Sequence, residues 1–322
     1  MNNLLYTITN RVIENYKLAK HKLRFDGEYI NHFASLIFGE DENINIDRIK
    51  EIRKYIKSNT NKMSSFRGDI LYMISILISK ENNYIEFSNR VMEMNEYLKD
   101  NDFKDGNFLV LSSYALAKHA KIGEEEAIIN DMKMIYKSLK NQYEGFIDEE
   151  DYLVFALLAI KGNKDKSDIE DTSKYIDSMF NYLSDLDYYS KNDLQGIASS
   201  LLLNSSASAP YEIKEFIKAF NDKDMRIGDE VLPLIGVVAR DEEIYEYLNK
   251  VKEVTECLCE EEGEYAFYMD KTFRTLIAIV IVEIYERNSS SFSNEYLEEL
   301  LCFAIYSFLV SKKQGLFEEV LA

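Results

Sequence analysis

Residues 146–160 read Phe-Ile-Asp-Glu-Glu-Asp-Tyr-Leu-Val-Phe-Ala-Leu-Leu-Ala-Ile, with the acids Asp148 to Asp151 standing ahead of an unbroken apolar run, Tyr152 to Ile160. An apolar run of this kind fits a helix buried nearly all round, and acids at its start suit a helix N-terminus. The pattern recurs. An aromatic or Ile, then Asp, Glu or Asn, then an apolar run appears at Phe25 (FDGEYINHFASLIF), Phe66 (FRGDILYMISILI) and Phe103 (FKDGNFLVLSSYALA). It returns at Tyr189 (YSKNDLQGIASSLLL), Ile227 (IGDEVLPLIGVVA) and Phe267 (FYMDKTFRTLIAIVIVEI). With Phe146 these are seven anchors, spaced 41, 37, 43, 43, 38 and 40 residues apart. A period near 40 is the mark of a repeat architecture.

Composition supports helices as the repeating element. Only 12 Gly and 2 Pro occur in 322 residues, too few for the turns of an all-β sandwich or a Rossmann-type sheet. Between the apolar runs lie polar segments with apolar residues at i, i+3, i+4 and i+7, such as Ile169, Tyr175, Ile176, Met179, Phe180 and Leu183, or Ile244, Tyr247, Leu248, Val251 and Val254. These predict amphipathic outer helices, for example over Glu124 to Asn141 and Asp241 to Leu258. The expected fold is all-α: one repeat domain over 1–322, built from about seven antiparallel helix pairs. A leading helix is expected over Asn3 to Lys22 and a closing one over Phe292 to Lys312. Because one pair cannot bury both apolar faces, neighbours must stack, as an open α-solenoid or a closed α/α toroid. Loops are expected at 38–43, 161–165, 204–210 and 287–292. Pro210 should sit near a helix start, and Pro233 should kink or shorten the helix expected over Asp229 to Val238.

The charge balance, 38 Lys+Arg against 57 Asp+Glu for a net of −19, repels phosphate backbones, and the basic residues are interleaved with acids rather than gathered in a stripe. Nucleic acid is not an expected partner. No run approaches the roughly 18 apolar residues that a membrane span needs, and the first residues lack the basic and apolar regions of a secretory signal. Three cysteines, Cys257, Cys259 and Cys302, suit free thiols in a reducing compartment. A cytoplasmic protein is expected, and the heavy use of Asn, Lys, Ile and Tyr suggests an AT-rich bacterial genome.

Chemistry-bearing residues are sparse. The acids at the starts of the apolar runs, Asp26 and Glu28, Asp69, Asp105, Asp148 to Asp151, Asp193, Asp229 and Glu230, and Asp270, serve as helix caps in the simplest reading. In a stacked array they would also line one rim, where they would hold a divalent cation or act as an acid/base pair. Cys257, Cys259 and Cys302 would need His21 or His32 to complete a zinc site of the kind that lanthipeptide-cyclase-like toroids carry, and the Gly-rich and His-Gly motifs of those enzymes are missing. No metal or cofactor is expected. Arg67-Gly68-Asp69 spells an integrin-type tripeptide without consequence in a helix start. P-loop, dinucleotide, Gly-x-Ser-x-Gly and His-Glu-x-x-His motifs do not occur, and three histidines leave little material for nucleophile–His catalysis. The 41 Tyr and Phe are expected in the core, with a peptide groove as a further use.

Phe66-Arg67, Tyr136-Lys-Ser-Leu-Lys140, the stretch from Phe146 to Ala159, and Asp193-Leu-Gln195 running to Leu203 together resemble an uncharacterised bacterial family filed as domain of unknown function number 4003. The resemblance implies that one family spans nearly the whole chain, and it supplies no mechanism. Arg67, Asp151 and Gln195 fall at the openings of the apolar helices of units two, four and five. In a parallel stack they would share a rim and form a polar ligand site, with the guanidinium fork gripping a peptide backbone or carboxylate. The expected function is a peptide- or protein-binding scaffold without catalytic residues; the alternative is an α/α-toroid enzyme or small-molecule binder using carboxylates at helix starts.

Overall fold

The computed structural model describes residues 1–41, 43–143, 145–186, 189–204, 206, 209–240, 244–289 and 294–321. Every regular element among them is helical. In chain order the helices are α1 (Asn3–Lys22), α2 (Glu28–Ile37), α3 (Ile46–Asn59), α4 (Gly68–Ile78), α5 (Tyr84–Asp100), α6 (Asn107–His119), α7 (Glu125–Gln142) and α8 (Tyr152–Asp165). They continue as α9 (Ile169–Leu183), α10 (Lys191–Leu201), α11 (Ala209–Asp222), α12 (Leu232–Val238), α13 (Ile244–Glu261), α14 (Gly263–Phe267), α15 (Lys271–Ser289) and α16 (Leu297–Leu321). The seven anchors of the repeat stand two to six residues ahead of α2, α4, α6, α8, α10, α12 and α15.

Cα packing divides the chain into two compact units, one made of Met1–Ile46 with Asn204–Ala322 and the other of Asp47–Leu203. In the second unit α4, α6, α8 and α10 lie side by side, and each of α5, α7 and α9 packs against the helix that follows it. Burial separates the two layers. Every residue of α8 from Tyr152 to Ile160 is buried, whereas α3 buries only Ile49, Ile52, Arg53 and Ile56 and α7 only Ile128, Ile129, Met132, Ile135 and Leu139. One stripe at helical spacing marks an outer helix, and burial all round marks an inner one. At roughly 1.5–3 kcal/mol for each large apolar side chain removed from water, the inner helices carry most of this unit's stabilisation.

The first unit joins segments far apart in sequence. Helix α2 packs on α1, α15 and α16, and α1 also on α13 and α15. Polar contacts follow the same pairing: Arg287 Nη2 and Asn288 Nδ2 reach the Glu40 carboxylate at 2.5 and 2.6 Å, and Asn2 Nδ2 donates to the Tyr285 hydroxyl at 2.6 Å. Asn15 Nδ2 donates to the carbonyls of Phe38 and Asp41 beyond the end of α2, and Asn204 Nδ2 serves Gly236 and Ala239 in the same way at the end of α12. Such groups satisfy helix-end carbonyls that would otherwise be buried unpaired.

Two expectations are corrected and a third is met in part. Residues 161–165 are the last turn of α8, not a loop. Gly162 is tolerated within the helix, and the stop comes at Lys166, whose φ of 55° is left-handed, with Ser167 N–H bonding Gly162 O at 3.0 Å. The closing helix runs over Leu297–Leu321 rather than from Phe292, which lies outside the described residues. Of the two effects expected of Pro233 the shortening is the one seen: Asp229–Val231 form a 3-10 turn, and the α-helix is confined to Leu232–Val238 with Pro233 in its first turn, where the missing N–H costs nothing.

Candidate functional site

In the second unit two open grooves, each of about 690 Å3, lie along the outer helices. One runs between the α3–α4 connection and α5. Glu93, Glu96, Asp100 and Asp105 line it, all four exposed, and its single lysine, Lys99, already bonds Glu96 at 2.6 Å. Met63, 89% exposed, stands on its wall. Arg67 builds that wall. Its guanidinium donates to Thr60 Oγ1 (2.7 Å), Thr60 O (3.0 Å), Asn61 O (2.7 Å) and Phe66 O (2.6 Å), closing the exposed carbonyl end of α3 and fixing the turn.

The other groove runs between α7 and α9. Asp131, Met134 and Ser138 face it from α7, and Ser173, Lys174 and Asp177 from α9. The spacings, 131/134/138 and 173/174/177, set each trio on one helix face. Lys174 bonds Glu170 at 2.8 Å, and Asp177 accepts the Tyr143 hydroxyl at 2.7 Å. Burial, then this bond to Asp177, pushes the Tyr143 pKa up. Asp131 is half-buried and makes no ion pair or hydrogen bond among the described residues, and burial alone pushes its carboxyl pKa up. Ser173 is 8% exposed, and its hydroxyl has no hydrogen-bond partner among the described residues. A buried polar group left unpaired costs about 1–3 kcal/mol. This groove therefore differs from the first: its carboxylates are partly withdrawn from water, and a buried polar atom stands unsatisfied.

Of the three residues expected to share a site, none bonds another among the described residues. Asp151 and Asp148 form a capping box at the entrance to α8, Asp151 Oδ2 accepting from Asp148 N–H at 3.1 Å. Burial pushes the Asp151 carboxyl up to about 7, against the downward pull of that bond. Close by in the chain, Lys104 Nζ holds Glu149 at 2.7 Å, and the Tyr152 ring meets Phe103 and Tyr136 edge-on at 5.2 and 5.4 Å. Gln195 is buried in α10, its Nε2 donating to Ser199 Oγ at 2.8 Å and its Oε1 unpartnered.

The other helix-start acids are largely engaged in capping. Asp193 closes a capping box with Ser190. Asp270, against the upward push of burial, is held down to about 2 by bonds from Thr272 and Lys312. Among the described residues no three His, Cys, Asp or Glu stand close enough to hold a metal ion. His32 lies flat on Tyr16, ring centres 3.8 Å apart, with Nδ1 3.4 Å from the Tyr265 hydroxyl, and burial, then Lys20, lowers its pKa to about 3. Cys257, Cys259 and Cys302 are free thiols. The expectation that aromatic residues pack in the core fails at Phe25 and Phe267, each 83% exposed.

Sequence reasoning missed the α7–α9 groove, although two signals for it are present. Ser173 interrupts the buried stripe of α9, where Ile176 and Leu183 set the pattern, and Met134 is an apolar residue on the solvated side of α7. Among the described residues no helix is long and apolar enough to cross a membrane. Comparison with curated proteins and with solved structures gives no match for the chain. Residues 15–314 match one family along nearly the whole repeat, and the chain belongs to that family, described as Protein of unknown function (DUF4003).

Proposed function

We propose that this chain is a non-enzymatic helical-repeat module that binds a peptide or protein partner along the outer helices of its second unit. The observation that carries this reading is the pair of grooves: equal in size, both rich in carboxylates, each with one lysine already paired inside it, and each presenting an exposed methionine. Open grooves along stacked helices suit an extended segment, and Met side chains adapt to varied apolar surfaces. The side-by-side packing of α4, α6, α8 and α10 supports a superhelical repeat as the scaffold, and free cysteines suit a reducing cytoplasm.

A photo-reactive residue placed at Met63 or Met134 in the native cell tests the proposal. It should yield one discrete adduct that a probe at Ile122, 89% exposed outside both grooves, does not. Equal adducts at Ile122, or none at either groove, would sink it.

One observation favours a second reading, a small-molecule or enzymatic site at the helix starts. Asp151, raised to about 7, is poised for proton transfer, and Gln195 with its unpartnered Oε1 sits in α10, packed beside α8. A metabolite that raises the melting temperature of the wild type but not of Asp151→Asn would establish it, and the same shift in both proteins would remove it.

A further inference from the structure

We infer that the α7–α9 groove seats a lysine or arginine side chain of a protein partner, held between the carboxylates of Asp131 and Asp177 with the Ser173 hydroxyl as third acceptor. The inference rests on the peptide-binding reading and narrows it to a chemical class. Four features point the same way. Asp131 carries a half-buried charge with no ion-pair partner among the described residues, and a cation would compensate it. Asp177 spends one oxygen, Oδ1, on Tyr143 and keeps Oδ2 free of hydrogen bonds. Ser173 Oγ is buried without a partner in the wall of the same groove, and a hydroxyl oxygen accepts from an ammonium or guanidinium N–H. Met134, 55% exposed at the groove, gives the methylene stem an apolar surface to lie along, as long basic side chains require.

The neighbouring charges agree with this assignment. The lysine inside the groove, Lys174, is directed to Glu170 rather than to Asp131, and Asp168 at the mouth, whose Oδ1 accepts the backbone N–H of Glu170, adds a further negative charge. The groove between α3 and α5 lacks this arrangement: its four carboxylates are exposed, and none of its lining residues has an unpartnered buried polar atom. It offers general attraction for a basic segment, whereas the α7–α9 groove offers a seat for one head group. A net charge of −19 adds long-range steering of a basic partner.

The test uses the full chain and a fluorescent heptapeptide, Gly-Ser-Lys-Arg-Lys-Ser-Gly, against its counterpart with Gln at the three basic positions. The basic peptide should bind at least tenfold tighter than the neutral one. Asp131→Asn and Asp177→Asn should each weaken it about tenfold, and Ser173→Ala several-fold. Ser173→Ala should leave the melting temperature unchanged or raised, because it removes an unsatisfied hydroxyl; a merely structural serine would behave in the opposite way. Equal binding of the two peptides, or binding indifferent to Asp131→Asn, overturns the inference. Displacement of the peptide by spermidine or Mg2+ at equal concentration would also overturn it, by making the groove a general cation site. A partner adduct that persists at Met134 in Asp131→Asn would leave the binding module standing while removing its cationic anchor.

Discussion

The two units use the same helix pairs but are held together differently. In the second unit Lys104 N–H reaches the Tyr152 hydroxyl across 48 residues, and stability comes from apolar helices stacking on their neighbours. In the first unit Asn2 reaches Tyr285 across 283 residues and Glu40 reaches Arg287 across 247. Its interior also contains a charge cluster, with Arg240 paired to the buried Glu283, which accepts the Tyr247 hydroxyl at 2.9 Å. The acids are unevenly shared too: residues 47–203 hold 21 Lys+Arg against 27 Asp+Glu, and the remainder 17 against 30. A repeat can be assembled from local stacking alone, while a unit built from distant segments needs specific polar and aromatic contacts to fix its register.

The sharpest way to break this contrast is Glu283→Ala. It strands Arg240 and the Tyr247 hydroxyl in the interior and should destabilise the first unit by about 3–5 kcal/mol, the penalty of an uncompensated buried charge. Urea denaturation followed by hydrogen exchange in α13 and α15 reads it, and a loss below about 1 kcal/mol would mean that the cluster does not hold the unit together.

Acidity should separate the units by sign. His32 stays neutral in the fold down to about pH 3, while the unfolded chain takes up that proton near pH 6.5. The unfolded state therefore binds more protons in between, and stability falls as pH drops below 6.5, by up to about 1.4 kcal/mol per pH unit. Asp151 keeps its proton in the fold up to about pH 7, while the unfolded chain releases it near 4, so its contribution falls as pH rises through that window. The Asp151 slope should be the shallower one, because the residue is partly exposed. Between pH 5 and 6.5, His32→Gln should flatten the rise in stability and Asp151→Asn should steepen it. Identical pH profiles for the three proteins would refute both assignments.

A smaller effect sharpens the picture of the grooves. Arg67→Lys cannot reproduce a fork that serves three carbonyls and a hydroxyl, and should cost about 1–2 kcal/mol. Faster amide exchange near the α3–α4 turn and a weaker adduct at Met63 should follow, and loss of stability without either change would separate Arg67 from the groove.

How much could be read in advance depended on whether a feature was periodic. The leading helix over Asn3–Lys22 and the inner helix starts follow from apolar runs that repeat near 40 residues, because burial imposes the period. The end of α8 did not, since Gly162 reads as a breaker while the left-handed Lys166 is invisible in composition. Arg67, Asp151 and Gln195 were found as unusual polar residues at helix openings, but their partners are backbone groups or a nearby threonine or serine hydroxyl, which side-chain identity alone does not reveal. The α7–α9 groove needs two helices 40-odd residues apart to be set face to face, and only Ser173 in an apolar stripe and Met134 on a solvated helix side announce it.

The bond between Glu40 and Arg287 also has a consequence for synthesis. The apolar faces of α1 and α2 leave the ribosome well before α13, α15 and α16 exist to cover them. At 5–20 residues per second, the 247 residues that separate Glu40 from Arg287 take ~10–50 s to make. During that interval the second unit can fold from its local contacts, while the first 46 residues wait as a hydrophobic hairpin. A nascent chain of this protein should therefore engage chaperones through α1 and α2, and should release them only once α13, α15 and α16 have been made.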